Sequence, residues 1–157
     1  MRRLMLGSFV AITLLWSASS GAQNKPSLQI VSEDPQGDAA QCGIDKSGIE
    51  SIAALTLRNN GIQAVTDFNK AHLYLNTTTL TTASGACAVN YDVAVRTYLP
   101  MPPSGIDGFM PRKGRTFAKV ELCRRGGLLI VPRVVAAENT YQKLENVIKL
   151  CLGELEY

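Results

Sequence analysis

The sequence predicts a small α+β domain: a two-layer arrangement of one mainly antiparallel sheet of about five to six strands, with two helices packed on one face. Three observations carry that prediction. Apolar residues alternate with polar ones over several segments of the chain, two other segments repeat them at helical intervals, and four cysteines lie far apart among these segments.

The first strand is expected at Ser27 to Val31, followed by the polar, turn-rich stretch Ser32 to Gln41. A helix is predicted from about Gly48 to Asn60. Ser47 and Glu50 have capping-box spacing, and Ile49, Ile52, Ala53 and Leu57 recur on one side. Gly61 sits where a helix end calls for a left-handed residue. Ile62 to Val65 is a short strand candidate, and His72 to Thr81 is a longer one, rich in β-branched residues, with Leu73, Leu75, Thr77 and Thr79 on one side. The turn Thr82 to Gly85 leads into the clearest alternation in the chain, with Cys87, Val89, Tyr91, Val93 and Val95 on one face, so the two strands are expected to form an antiparallel hairpin.

Farther on, Phe117 to Cys123 reads as a strand with Ala118, Val120 and Leu122 on one side. Arg124-Arg125-Gly126-Gly127 has the composition of a tight turn, and Leu128 to Val131 reads as a return strand ended by Pro132. The last element is helical, with a stripe formed by Tyr141, Leu144, Val147, Ile148, Cys151 and Leu155.

The N-terminus reads as a secretory signal peptide spanning residues 1–22. Arg2 and Arg3 precede the apolar run Leu4 to Trp16, and small residues follow up to a cleavage site after Ala22. About a dozen apolar residues make some 18 Å of helix, against a bilayer core of about 30 Å, so the run is too short for a membrane anchor. Residues 23–157 then form a single domain of 157 − 22 = 135 residues. The expected location is the periplasm or the external medium.

An even number of cysteines in an exported domain implies two disulfides among Cys42, Cys87, Cys123 and Cys151. Cys42 with Cys87 and Cys123 with Cys151 is the favoured pairing, and Cys42 with Cys151 is the alternative to exclude. The favoured pairing meets one difficulty: Cys123 has the parity of the outward Lys119 and Glu121, so it requires a bulge or a strand end. There is no C-x-x-C, and a single histidine with wide cysteine spacings argues against zinc; no metal or other cofactor is expected.

Charge is uneven along the chain. Residues 23–92 hold 4 basic and 7 acidic side chains, whereas Arg96 to Arg133 holds 8 basic and 2 acidic. No nucleophile elbow, zinc-protease helix or phosphate-binding loop is present. His72 stands at a strand start, and Asp45, Glu50, Asp67 and Asp92 are scattered through turns and outward faces, which favours binding over catalysis. The most unusual segment is Pro100 to Arg115, too long for an ordinary hairpin loop. In it, Ile106, Phe109 and Met110 are candidate apolar anchors for an envelope or secreted protein partner or an anionic surface, with Arg112, Lys113 and Arg115 supplying charge. Those cations lack an aromatic platform, so nucleic acid is not an expected partner. The competing reading is a small exported hydrolase whose carboxylates converge only in the folded state.

Cys42-Gly43-Ile44, the helix end Leu57-Arg58-Asn59-Asn60-Gly61-Ile62, the strand His72-Leu73-Tyr74-Leu75-Asn76 and the later Cys87 together resemble small exported bacterial proteins of uncharacterised activity, over roughly residues 40 to 100. The resemblance implies a bacterial, periplasmic or secreted setting and a bond between the early cysteine and the strand cysteine. It implies no catalytic or binding residue.

Overall fold

The computed structural model describes residues 26–67, 71–101 and 116–155. The expected signal peptide, residues 1–22, lies outside them, as do the six candidate contact residues Ile106, Phe109, Met110, Arg112, Lys113 and Arg115.

The fold is α+β, as the alternation and the helical stripes predict. Strands β1 (Ser27–Ser32), β3 (Gln63–Val65), β4 (His72–Thr81), β5 (Ala86–Met101) and β6 (Thr116–Pro132) lie side by side in the order β3-β1-β4-β5-β6. A two-residue strand, β2 (Gln36–Gly37), also pairs with β4. The long pairs β4–β5 and β5–β6 are antiparallel, while β1 runs parallel to both β3 and β4, and β2 runs parallel to β4. Helix α1 (Lys46–Asn59) makes the crossover from β1 to β3, and α2 (Ala136–Gly153) closes the chain. A parallel pair needs such a crossover, because no short turn can return the chain to the same end of the sheet.

Both helices bury their stripes against one face of the sheet. From β4 and β5 that inner face presents Leu73, Leu75, Thr77 and Thr79, then Cys87, Val89, Tyr91, Val93 and Val95, all buried. They meet Ile49, Ala53 and Leu57 of α1 and Leu144, Val147, Ile148 and Cys151 of α2. Gly48, in the first turn of α1, leaves room for the Tyr141 ring of α2, whose hydroxyl accepts from the Asp45 backbone N–H at 3.2 Å.

Helix α1 starts two residues before the expected position. Asp45, not Ser47, is the N-cap: its Oδ1 accepts from the Gly48 N–H at 2.7 Å and from the Ser47 hydroxyl at 2.6 Å. These bonds hold the Asp45 carboxyl below its ordinary value, the Ser47 hydroxyl contributing most. At the other end Gly61 has φ +74°, the left-handed residue that the sequence calls for.

The polar stretch after β1 carries more structure than a turn. Gly37, at φ +71°, sits hard against the Thr79 backbone. Asp38 accepts from the Thr81 N–H through Oδ2 at 2.7 Å, and its own N–H donates to the Thr79 carbonyl at 2.8 Å. The short 3₁₀ turn Ala39–Cys42 follows and delivers Cys42 to β5, where it bonds Cys87.

The second disulfide joins Cys123 of β6 to Cys151 of α2, so the favoured pairing holds and Cys42 with Cys151 is excluded. A β-bulge removes the parity difficulty. Val95 stands opposite Cys123 but Arg96 stands opposite Glu121, leaving Leu122 as the extra residue that turns Cys123 inward while Glu121 and Lys119 stay outward.

One expected element is overturned. Arg124 to Gly127 is no turn, and the two strands expected around it are one strand, β6, paired with β5 from Thr116 to Pro132. The glycines there make space. An added Cβ at Gly127 would stand 2.6 Å from the Tyr91 hydroxyl oxygen, because the ring lies across Gly127, and one at Gly126 would stand 3.0 Å from the Tyr91 carbonyl.

Candidate functional site

Among the described residues no helix covers the outer face of the sheet. The register places His72, Tyr74, Asn76, Thr78 and Leu80 of β4 beside Arg96, Ala94, Asp92, Asn90 and Ala88 of β5. On β6 their neighbours are Glu121, Arg124, Gly126, Leu128 and Ile130. Three zones follow one another along the strands.

The first zone is charged and aromatic. The Arg96 guanidinium lies 3.7 Å above the centre of the Tyr74 ring, and its Nε donates to Glu121 Oε1 at 3.0 Å. Only 8% of Arg96 is exposed, so its charge is held by this ring and carboxylate, not by water. Lys119 Nζ adds a contact of 3.6 Å to the same carboxylate oxygen. The Tyr74 hydroxyl donates to Glu33, and that bond, ahead of burial, raises the phenol above its ordinary value. His72, likewise 8% exposed, stacks on Tyr98 with ring centres 5.5 Å apart. Burial, reinforced by the positive charge of Arg96 and Lys119, pushes the imidazole below its ordinary value.

The middle zone is an open depression of about 600 Å³ lined by Asn76, Asn90, Asp92, Arg124 and Gly126, with Tyr91 and Gly127 at its base. It exists because Gly126 carries no side chain between Arg124 and Leu128. Arg124 grips Asp92 with two bonds of 3.0 Å, from Nε to Oδ1 and from Nη2 to Oδ2, which raises the guanidinium further above its ordinary value. Asn76 Oδ1 is buried and accepts no hydrogen bond from the described residues.

The third zone is apolar and bare. Leu80, Ala88 and Ile130 form a row across three strands, with Leu128 next to Ile130 on the outer face of β6. Leu80 is 62% exposed, Leu128 64% and Ile130 63%. Contiguous exposed aliphatic side chains on a sheet face mark a contact surface far better than single scattered ones.

The depression brings one carboxylate, Asp92, and engages it with Arg124, so its described lining lacks the paired acids that the hydrolase reading requires. Among the described residues no group of three or more His, Cys, Asp or Glu side chains is placed to hold a metal ion. Among them, too, no helix is long and apolar enough to cross a membrane, and the two disulfides fit an oxidising compartment. Sequence reasoning put Leu73, Leu75, Thr77 and Thr79 on one side of their strand, which leaves Tyr74, Asn76 and Thr78 together on the other. It missed the partners on β6, because which residue stands opposite which there depends on a bulge that composition does not reveal. Comparison of this chain with protein-family models gives no match, and comparison with curated proteins gives none either.

Proposed function

We propose that this protein is an exported, non-enzymatic binding module. In this reading residues 1–22 are a signal peptide cleaved after Ala22, and the remaining domain works in the periplasm or the external medium. It docks an envelope or secreted protein through the outer face of its sheet and the 100–115 segment of the sequence, with Ile106, Phe109 and Met110 as anchors and Arg112, Lys113 and Arg115 as flanking charge. One observation carries the reading: Leu80, Leu128 and Ile130 stand bare on the sheet face opposite the one against which two helices pack. An apolar patch beside polar and charged surface has the composition of a recognition site.

The test is affinity capture from envelope extracts with the oxidised protein as bait. Intact protein is compared with a deletion of Gly105 to Gly114 and with the double variant Leu80→Glu/Ile130→Glu. The reading expects a specific partner retained by the intact protein and lost from both variants. Capture that survives both changes would remove this surface from consideration.

A further inference from the structure

Among the described residues strand β6 is an edge of the sheet, and we infer that it pairs antiparallel with the β6 of a second copy, in the single register that sets Glu121 opposite Arg124. This inference rests on the sheet edge and not on the proposed function; the pairing covers Leu128 of the outer face and leaves Leu80 exposed.

An edge strand exposes a line of unpaired backbone N–H and C=O groups, and natural edges are usually short or blunted by charge and bulges. Here the edge is 17 residues long and carries exposed Phe117, Leu122, Leu128 and Ile130. Its charges and bulge restrict pairing without forbidding it. The bulge moves the outward positions from Gly126 and Leu128 on one side to Lys119 and Phe117 on the other. Facing residues in an antiparallel pair must share a face of the sheet. A two-fold axis centred between Leu122 and Cys123 meets that condition. It pairs outward Phe117 with outward Leu128, Lys119 with Gly126, and Glu121 with Arg124, each twice by symmetry. Shifting the axis by half a residue sets an outward side chain against an inward one throughout.

Charge then selects among the registers that keep faces matched. Moving the axis one full residue toward the N-terminus sets Lys119 against Arg124, two like charges. Moving it one residue the other way removes the ion pair and faces Lys119 with Leu128. In the selected register the second copy's Arg124 joins the cations already on Glu121, namely Arg96 at 3.0 Å, Lys119 at 3.6 Å and its own chain's Arg124 at 3.9 Å, and Phe117 covers Leu128. Lys119 meets the bare Gly126, across which Asp92 stands on the neighbouring strand. The paired span from Phe117 to Leu128 is about 40 Å long and a single strand wide, so it buries less than the ~800 Å² per partner of a standard interface. The dimer is accordingly concentration-dependent.

Sedimentation equilibrium of the oxidised protein recovered from the exporting cell, from micromolar to millimolar concentration, tests this with three variants at exposed sites: Phe117→Glu, Leu128→Lys and the two combined. The expected result is a monomer–dimer equilibrium weakened about 2- to 30-fold by either single change, with most of the loss restored in the combined variant, where Glu and Lys face each other twice. Circular dichroism identical to that of the parent confirms that each variant is folded. A protein that stays monomeric to millimolar concentration overturns the inference. So does a dimer indifferent to the single changes, or a combined variant no better than either of them.

Discussion

The two faces of the sheet are built from the same strands, residue by residue in alternation, yet they follow opposite rules. On the inner face, side chains from β4 and β5 are buried under α1 and α2, and both disulfides lie on that side, one through the 3₁₀ turn before α1 and one through α2. On the outer face the same two strands carry ion pairs, a stacked histidine and a bare apolar row, with no covering helix among the described residues. The buried core and both disulfides therefore lie on one face, and the exposed apolar row on the other. Substitutions at neighbouring positions of one strand should separate the two.

The largest effect is expected from the inner side. Cys42 and Cys87 close a loop with a sequence separation of 45, and Cys123 and Cys151 one of 28. In the chain-entropy picture the two contribute about 4 and about 3.5 kcal/mol, out of the 5–15 kcal/mol typical of a whole domain. Replacing Cys42 and Cys87 together by alanine should lower the urea-unfolding free energy by about 4 kcal/mol, and the Cys123/Cys151 double variant should lose slightly less. A loss below about 1 kcal/mol in either would mean that the helices hold the inner face without their straps.

An intermediate effect contrasts two adjacent threonines of β4. Thr77 points inward, is fully buried, and its hydroxyl has no hydrogen-bond partner among the described residues, whereas Thr78 points outward and is half-buried. A buried hydroxyl without a partner bears its full desolvation cost. Thr77→Val, which keeps the shape and removes that hydroxyl, should stabilise the protein by about 1 kcal/mol, while Thr78→Val should fall within about 0.5 kcal/mol of the parent. Chemical denaturation of the two variants side by side checks the assignment of faces, and equal effects would contradict it.

That assignment is also where the sequence was most readable. The alternation of Leu73, Leu75, Thr77 and Thr79, and of Cys87 through Val95, is unbroken, so both strands, their hairpin and their buried face follow from side-chain period alone. The stripe from Tyr141 to Leu155 is equally direct. The β6 strand misled because Arg-Arg-Gly-Gly has turn composition, while the glycines in fact yield to the Tyr91 ring and backbone across the sheet, a tertiary cause invisible in a local window. Asp45 took the cap expected of Ser47 because either side chain can accept from the first-turn N–H groups. Tyr141, reaching the Asp45 N–H from a sequence distance of 96 residues, adds a contact no local pattern contains. The parallel placement of β1 was likewise unreadable, since pairing direction is set by where a crossover helix packs and not by the strand itself. For the outer face, composition revealed a basic excess after Arg96 but not that Arg96 and Arg124 are each held by a carboxylate.

The smallest effect concerns His72, the one titrating group of the charged zone that responds near neutral pH. Burial first, then the charges of Arg96 and Lys119, lower its proton affinity in the folded state below that of the unfolded chain. The unfolded state therefore binds more protons as pH falls through the unfolded value near ~6.5, and folding stability must decline over that interval. The contribution is fully present above the unfolded pKa. It fades as pH drops toward the folded one and has no further slope below it. Unfolding free energies measured at closely spaced pH values should thus fall on acidification from neutrality in the parent and be flatter over the same interval in His72→Gln. The variant's slope is the informative quantity, because carboxylates such as Asp45, whose folded value is lowered, act only at more acid pH. If parent and variant ran parallel from pH 7 downward, His72 would be titrating as it does in the unfolded chain, and its stacking on Tyr98 between two cations would carry no energetic weight.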